Sequence, residues 1–306
     1  MKIIYLGTPD FAVAPLKKIV ESGKYQVVAV VCNNDKPVGR KRVLTPPPVK
    51  VYAESVGLKV LQYDKIRVEG VEDLKSLSPD LMITCAFGQI LSQEIIDIPR
   101  LGVINIHASL LPKYRGASPI HYAVLNGEKK TGITIMRTDV GIDTGDIISK
   151  KELSIGEKET CGELFERLST LGADCIIEIL PSIVDGTATY TKQDDEQASY
   201  SKIFKKEDAK IDWNDSAVNV YNKIRAFNPA PIAFCTYKNE PFKIYDAEVL
   251  NVNGQAGTVL ECDKRLVIAC GKGALSLVKV QKAGGNAMNV QDFLRGNKFT
   301  VGDTFI

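Results

Sequence analysis

The sequence predicts an α/β protein: a doubly wound, mostly parallel sheet followed by a small β-barrel. Continuous apolar runs occur four times in the first 110 residues, as expected for strands that helices cover on both faces. Helical patterns separate these runs, and this alternation is typical of a parallel sheet. Beyond residue 230, short β-rich runs follow one another between glycines, which is the spacing of a small barrel.

The first half supplies the predicted parallel sheet. Its buried strands are expected at residues 3–6, 27–31, 81–84 and 103–106. Helices are expected at residues 11–22, 48–56 and 117–126. Gly23 and Gly127 follow the first and last of these helices as stop signals. Ligands of such a sheet bind beyond the carboxyl ends of its strands.

The later segments predict where the first domain ends. Residues 131–137 and 146–153 read as an antiparallel pair of strands, and residues 162–184 as a long helix. The polar segment that follows is typical of a linker. We therefore expect a first domain over residues 1–190, a linker over 191–203 and a second domain over 204–306, in which a helix is expected at 217–227.

Composition excludes several classes of protein. At 306 residues, 44% hydrophobic and 25% charged, the chain has the balance of an ordinary globular protein. The longest stretch without Asp, Glu, Lys or Arg, residues 81–93, is too short to span a bilayer, so no membrane partner is expected. Seven cysteines without a Cys-x-x-Cys pair, and no secretion signal, favour reduced thiols and a cytoplasmic location.

Charge is distributed unevenly along the chain. Residues 200–306 carry a net charge of +4 and the remaining residues −2. A positive second domain fits a polyanionic partner, although an excess of this size also arises on ordinary surfaces.

The strongest chemical signal is an amide and an imidazole two positions apart. Asn105 and His107 follow an apolar run, and in an extended segment residues i and i+2 share a face. Asp143, between glycines in a turn-rich loop, supplies a carboxylate. This set suits carbonyl polarisation and proton transfer without a covalent nucleophile. The alternatives are a buried structural histidine and a turn-forming aspartate.

The sequence argues against a dinucleotide-binding site and against a metal site. The turn after the first strand, residues 7–12, lacks the second and third glycines of a dinucleotide-binding loop, and Pro9 blocks close backbone approach. The second histidine, His121, lies in a helical stretch and is expected to be structural. No pattern of histidine, cysteine and carboxylate has the spacing of a metal site, so no metal is expected.

A cluster of basic residues precedes the second predicted helix. It comprises Lys36, Arg40, Lys41 and Arg42, interrupted by Gly39 and followed by prolines. We expect an exposed loop that grips nucleic-acid phosphates, the alternative being a solvated run of charge. Two lysines near the predicted linker, Lys205 and Lys206, would extend this contact.

Several strings together carry a family resemblance. They are Asn-x-His-x-Ser-Leu-Leu-Pro at 105–112, Asp-x-Gly-x-Asp-Thr-Gly-Asp at 139–146, Phe-Gly at 87–88, residues 113–120 and Gly-Ile-Thr at 132–134. The chain resembles the folate-dependent formyltransferases over nearly its whole length. The strings at 7–12, 211–213 and 224–229 are similar to the branch that acts on charged initiator tRNA.

The resemblance implies a Rossmann-like formyltransferase domain, an OB-like barrel that binds tRNA, and a set of site residues. Asn105, His107 and Asp143 would be catalytic. The residues expected to bind the folate are Phe87, Gly88, Ile90, Ser109, Leu110, Leu111 and Pro112.

The implied reaction transfers the formyl group of 10-formyltetrahydrofolate to the α-amine of methionyl initiator tRNA, in support of translation initiation, by a monomeric enzyme. One alternative is a formyltransferase for a small amine, such as a sugar amine or glycinamide ribonucleotide. The other is a nucleic-acid-binding protein with an inert formyltransferase-like domain.

Overall fold

A computed structural model of the protein describes residues 1–39 and 41–306. The chain divides into two compact units. The first comprises Met1–Pro119, Lys130–Ser154 and Phe165–Lys202, and the second comprises Ile120–Lys129, Ile155–Leu164 and Ile203–Ile306.

The first unit is built on a seven-stranded sheet. From one edge to the other its strands are Ile147–Ser154, Lys130–Arg137, Val103–His107, Leu81–Cys85, Lys2–Gly7, Gln26–Cys32 and Val60–Gln62. The last five strands are parallel, and the first two are added antiparallel. The predicted mostly parallel sheet with an antiparallel addition is therefore confirmed.

Helices connect the strands of this sheet. The α-helices between its strands are Val13–Glu21, Pro48–Ser55, Ile66–Glu69, Val71–Leu77, Gln93–Ile96 and Pro119–Leu125, and Cys161–Val184 follows its last strand. Residues 120–125 and 161–164 of these helices belong to the second unit. The predicted glycine stops are confirmed at Gly23 and Gly127, which adopt left-handed φ angles of 63° and 65°.

The order of the parallel strands creates a crevice beside the first strand. The chain adds strands on one side of Lys2–Gly7 and then returns to its other side at Leu81–Cys85. Loops at the carboxyl ends of these two strands diverge at such a switch point. Here Thr8 Oγ1 donates to the Phe87 carbonyl oxygen at 3.0 Å, so the loop after each strand supports the other.

The second unit contains the predicted barrel-like domain. Its antiparallel strands run, in sheet order, Phe234–Tyr237, Glu240–Leu250, Ala274–Lys282, Leu266–Ala269 and Val259–Glu261, with Met288–Asn289 paired to Ala274–Lys282. Helices Ala217–Ala226 and Val290–Gly296 also belong to this unit. A buried cluster that includes Trp213, Phe242 and Phe305 forms its core.

The segment 303–306 joins the two outermost strands of this sheet. Thr236 and Ile306 exchange backbone hydrogen bonds of 2.6 and 2.8 Å, while Val259 N donates to the Asp303 carbonyl oxygen at 2.9 Å. Phe305, which is 2% exposed, packs against Phe242 and Tyr237. The sheet therefore curls into a half-barrel that this segment spans.

Two segments have more structure than their composition indicates. Lys36, Lys41 and Arg42 of the basic cluster, predicted as a loop, lie on a hairpin whose strands are Lys36–Val38 and Val43–Thr45. Within the predicted linker, Tyr200–Ser201 pairs in parallel with Arg115–Gly116. Thr191 exchanges backbone hydrogen bonds with Ile147, both of 2.8 Å.

Candidate active site

The strand Val103–His107 places the predicted amide and imidazole side by side. Asn105 pairs with Met136 and His107 with Thr134 on the neighbouring strand, so both side chains leave the same face. The His107 side chain is 6% exposed and the Asp143 side chain 17%. The imidazole is thus nearly enclosed at the carboxyl end of the sheet.

Asp143 approaches this pair from the loop that follows Lys130–Arg137. Its Oδ1 accepts a hydrogen bond from Asn105 Nδ2 at 3.1 Å, and its Oδ2 lies 3.5 Å from His107 Nδ1. The backbone N–H of Gly116 donates to the same Oδ2 at 2.8 Å. The three residues that the sequence singled out for chemistry therefore form one cluster.

Hydrogen-bond partners fix the orientation of both side chains from the strand. A carboxylate only accepts, so the Asn105 amide nitrogen faces Asp143, and its Oδ1 accepts from Thr84 Oγ1 at 2.9 Å. His107 Nε2 lies 3.0 Å from the Tyr114 carbonyl oxygen, which also only accepts. A proton on Nε2 satisfies this contact, and Nδ1 is the ring nitrogen that faces the Asp143 carboxylate.

The loop after His107 is held to the adjacent strand. Thr134 Oγ1 donates to the Ser109 carbonyl oxygen at 2.7 Å and accepts from Leu111 N at 3.1 Å. A Cβ at Gly132 would lie 2.1 Å from the Lys151 carbonyl oxygen of the paired strand and 2.6 Å from Leu110 Cδ2, so a side chain there would disturb the strand pairing and crowd Leu110 of this loop. These contacts give a physical reason for the presence of the Gly-Ile-Thr string at 132–134 together with the string at 105–112.

The residues expected to bind folate differ in accessibility. Ile90 is 69% exposed and Gly88 is exposed, whereas Phe87 is 4% exposed and lies in the core. Ser109 is fully buried, with its hydroxyl donating to the Lys113 carbonyl oxygen at 2.6 Å. Leu111 is also fully buried. Leu110 and Pro112 are half-buried.

A pocket of about 410 Å³ lies beside the loop that carries Asp143. The residues that line it include Ile96, Arg100, Arg137 and Val140. Val140 and Ile142, on the same loop, are 67% and 63% exposed. The sequence did not predict this pocket. Part of its wall is the helix Gln93–Ile96, which is too short to produce a periodic hydrophobic pattern.

Five basic residues that the sequence predicts to contact tRNA are described by the structure, and all five are on the surface. Lys36, Lys41 and Arg42 are exposed on the hairpin, whereas Arg40 lies outside the described residues. The hairpin also exposes three bulky apolar side chains: Val38, Val43 and Leu44. Lys205 and Lys206 are exposed in the second unit.

His121 and the Cys85 thiol lie in environments that do not favour a chemical role. His121 packs against Phe204 and Phe227, and burial lowers its pKa. Burial raises the pKa of the Cys85 thiol to about 12, so that thiol is a poor nucleophile. Within residues 1–39 and 41–306, no three His, Cys, Asp or Glu side chains are arranged to hold a metal ion. No helix of this part of the chain is long and apolar enough to cross a membrane.

Substitution of Gly116 by alanine tests how tightly the Asp143 carboxylate is held. Gly116 has a φ of 105°, and a Cβ there would lie 2.5 Å from the Ser201 carbonyl oxygen. We expect the free energy of unfolding of this variant to fall by more than the ~1–2 kcal/mol that a left-handed alanine costs. Its kcat should also fall, because the N–H of residue 116 no longer reaches Asp143. Urea unfolding and steady-state kinetics measure the two effects.

Gly186→Ala is the matched control. Gly186 has a φ of 71° with open space around its Cβ position, so alanine there meets the backbone cost alone. Equal losses of stability and of kcat in the two variants would contradict a special role for the Gly116 backbone.

Comparison with known proteins covers both units. Residues 1–180 match the formyl transferase family, and residues 203–298 match the C-terminal domain of formyl transferases. The methionyl-tRNA formyltransferase of Geobacter metallireducens is 44% identical over 99% of this chain and 97% of its own length. That of Bacillus subtilis is also 44% identical, over 99% of this chain and 96% of its own length.

Solved structures share the fold at low sequence identity. An N-formyltransferase from Helicobacter canadensis, in complex with folinic acid and dTDP-3-aminofucose, has a TM-score of 0.70 and 22% identity, covering 92% of this chain and 99% of its own. HypX from Aquifex aeolicus has a TM-score of 0.65 and 17% identity, over 97% of this chain and 49% of its own.

Proposed function

We propose a mechanism from the premise that this chain belongs to the formyl transferase family and is a methionyl-tRNA formyltransferase. The formyl donor is 10-formyltetrahydrofolate and the acceptor is the α-amine of methionine on initiator tRNA, in the cytoplasm. The observation that carries the mechanism is the cluster of Asn105, His107 and Asp143 at the carboxyl end of the sheet. The small-amine alternative gains no support from full-length relatives, which are methionyl-tRNA formyltransferases.

The folate would bind between two loops that expose apolar side chains beside this cluster. Ile90 lies on one loop and Val140 and Ile142 on the other, and bulky apolar side chains this exposed suit a flat ring that covers them. Ser109 and Leu111 would shape the loop from inside, whereas Leu110 and Pro112 have surface to offer.

His107 Nδ1 would be the atom that moves protons. Because the Tyr114 carbonyl oxygen keeps a proton on Nε2, a second proton can only be taken up at Nδ1, facing Asp143. The incoming amine attacks the formyl carbon and loses a proton to the His107–Asp143 pair. The protonated Nδ1 then supplies a proton to the folate nitrogen as its bond to the formyl carbon breaks.

Asn105 would stabilise the negative oxygen of the tetrahedral intermediate. One hydrogen of its Nδ2 is used by Asp143 and the other is available to the reacting oxygen. Because Thr84 and Asp143 fix the amide, it needs no reorganisation when charge develops. Protonated His107 would contribute to the same stabilisation.

Transfer RNA would contact the basic hairpin and the second unit. Lys36, Arg40, Lys41 and Arg42 would bind phosphates, and the apolar side chains of the hairpin would contact nucleotides. Lys205 and Lys206, with the net charge of +4 over residues 200–306, favour a tRNA contact by the second domain. We also propose that the enzyme acts as a monomer and needs no metal.

Formylation of methionyl initiator tRNA with labelled 10-formyltetrahydrofolate tests the proposal directly. Label should become acid-precipitable with charged initiator tRNA and not with uncharged tRNA. Transfer to a small amine, with none to the charged tRNA, would overturn it.

Neutralising Lys41 and Arg42 together to glutamine should weaken tRNA binding with little effect on folate binding. If each side chain contacts a phosphate, the slope of log affinity against log salt should fall by roughly one unit per residue. This slope is measured by titrating the binding of tRNA at several salt concentrations.

The control replaces two exposed lysines of the first helix region, Lys17 and Lys24, by glutamine. It makes the same change in net charge. An unchanged slope in the hairpin variant, or the same reduction in the control, would contradict specific phosphate contacts at the hairpin.

A further inference from the structure

The loop that carries Asp143 is held by a residue that no sequence pattern singles out, Gln193. Its Nε2 donates to the Asp143 and Gly145 carbonyl oxygens, each at 2.8 Å. Gln193 is 6% exposed, although it lies in the polar segment predicted as a linker and between the two ranges that match family domains. Both of its amide hydrogens are therefore used on the backbone around Asp143.

Arg115 holds Gln193 in turn. Arg115 Nε and Nη2 both donate to Gln193 Oε1, at 3.1 and 2.9 Å, and the Arg115 side chain is 2% exposed. Since a guanidinium only donates and a carbonyl oxygen only accepts, the amide of Gln193 has one possible orientation. Arg115 Nη2 also donates to Oδ1 of Asp195 at 2.7 Å. This exposed carboxylate balances the charge of the buried guanidinium.

The two residues flanking Arg115 contact the two ionisable members of the cluster. The Tyr114 carbonyl oxygen accepts from His107 Nε2, and Gly116 N donates to Asp143 Oδ2. Gln193 thus links the segment that orients His107 to the loop that presents Asp143. Asp143 itself needs such support because its φ of 54° is left-handed.

We propose that Gln193 and Arg115 are positioning residues for the reaction, holding Asp143 against Asn105 and His107. The proposal rests on the proposed function, in which this cluster performs formyl transfer. The side-chain amide of Gln193 bonds to Arg115 and to the backbone of the Asp143 loop, so its effect on rate passes through the carboxylate. A displacement of about 1 Å in such a group is sufficient to cost ~10²-fold in rate.

Gln193→Glu separates positioning from packing. Glutamate has the size of glutamine and still accepts from Arg115, but it cannot donate to the two carbonyl oxygens. We expect kcat at saturating substrates to fall by roughly 10- to 100-fold, with the KM for methionyl-tRNA nearly unchanged. The melting temperature should fall as well, because two carbonyl oxygens lose their donors, so kcat is compared at a temperature at which both enzymes are folded. Arg115→Lys, which loses the two-point hold on Gln193, should give a loss in the same direction and serves if Gln193→Glu does not fold.

Gln197→Glu is the control for the added charge. Gln197 lies four residues along the same segment and donates to Asp194 at 2.7 Å on the surface. Its substitution should leave kcat within twofold of wild type. Equal losses at positions 193 and 197 would overturn the proposal.

A double-mutant cycle with Asp143→Asn decides whether the effect passes through the carboxylate. If Gln193 acts by positioning Asp143, adding Gln193→Glu to the Asp143→Asn enzyme should lower kcat little further. A general structural role predicts the same fold-loss in both backgrounds, and that result would overturn the proposal.

Nuclear magnetic resonance tests the geometry without any substrate. The chain has only two histidines, so His107 and His121 give two sets of imidazole signals. Gln193→Glu should shift the ¹⁵N signals of His107 and leave those of His121 in place. Unmoved His107 signals would overturn the positioning role, whereas absence of tRNA formylation by the wild type would overturn the proposed function instead.

Discussion

Replacing His107 by alanine should lower kcat by ~10²- to 10⁴-fold while folate affinity stays close to that of the wild type. The substitution removes Nδ1, the atom at which we expect the proton to move, and with it the cation opposite Asp143. It also removes the 3.0 Å hydrogen bond to the Tyr114 carbonyl oxygen, which retains Ser201 Oγ at 3.5 Å, so the free energy of unfolding should fall by about 1 kcal/mol from this loss. Single-turnover kinetics with preformed folate complex measure the chemical step.

The stability change must be separated from the catalytic one. Thermal unfolding and folate binding establish whether His107→Ala is folded at the assay temperature. His121→Ala is a suitable comparison, since this histidine packs between phenylalanines in the second unit and should affect stability rather than chemistry. A folded His107→Ala enzyme with near wild-type turnover would rule out the mechanism.

The second large effect is expected from Asp143→Asn, which should lower kcat by about 10²-fold. Asparagine tolerates the left-handed φ of 54° at this position, so the backbone should be retained. The charge facing His107 is lost, however. The new amide also has one acceptor for two donors, Asn105 Nδ2 and Gly116 N, so one contact of Asp143 must be lost.

Asp139→Asn is the matched control for the loop. Asp139 lies on the same loop, and its carboxylate accepts from Thr144 Oγ1 at 2.7 Å and Gly141 N at 3.1 Å. Its substitution tests the shape of the loop without touching the cluster. Equal kcat values for the two variants would mean that Asp143 contributes only to the conformation of the loop.

Local sequence patterns were sufficient to predict the part of the site that lies on the strand Val103–His107. Asn105 and His107 share a face because side chains alternate along an extended segment, and this follows from spacing alone. The approach of Asp143 does not follow from spacing, because it depends on the Gly116 N–H and on a left-handed turn. Its residue type and turn-rich loop made Asp143 a candidate for the set, and the family resemblance strengthened that assignment.

Gln193 shows why polarity misleads at such sites. A buried amide whose donors and acceptor are all used looks, in sequence, the same as a solvated one. The polar segment around it was therefore predicted as a linker. Short elements such as Val60–Gln62 and Ile66–Glu69 were not predicted for a different reason, since they are too short for a periodic signal.

The segment that spans the half-barrel of the second unit has a consequence for solubility. Without residues 303–306, Phe234–Tyr237 and Val259–Glu261 would each present unpaired backbone groups, which other chains can use as templates for strand addition. Fraying of this segment would also uncover the Phe305 site beside Tyr237 and Phe242, an aromatic surface with the same tendency. Aggregation of a damaged second unit should therefore begin at the segment 303–306. The cluster around His107, which is far away in the sequence, should still be intact at that stage.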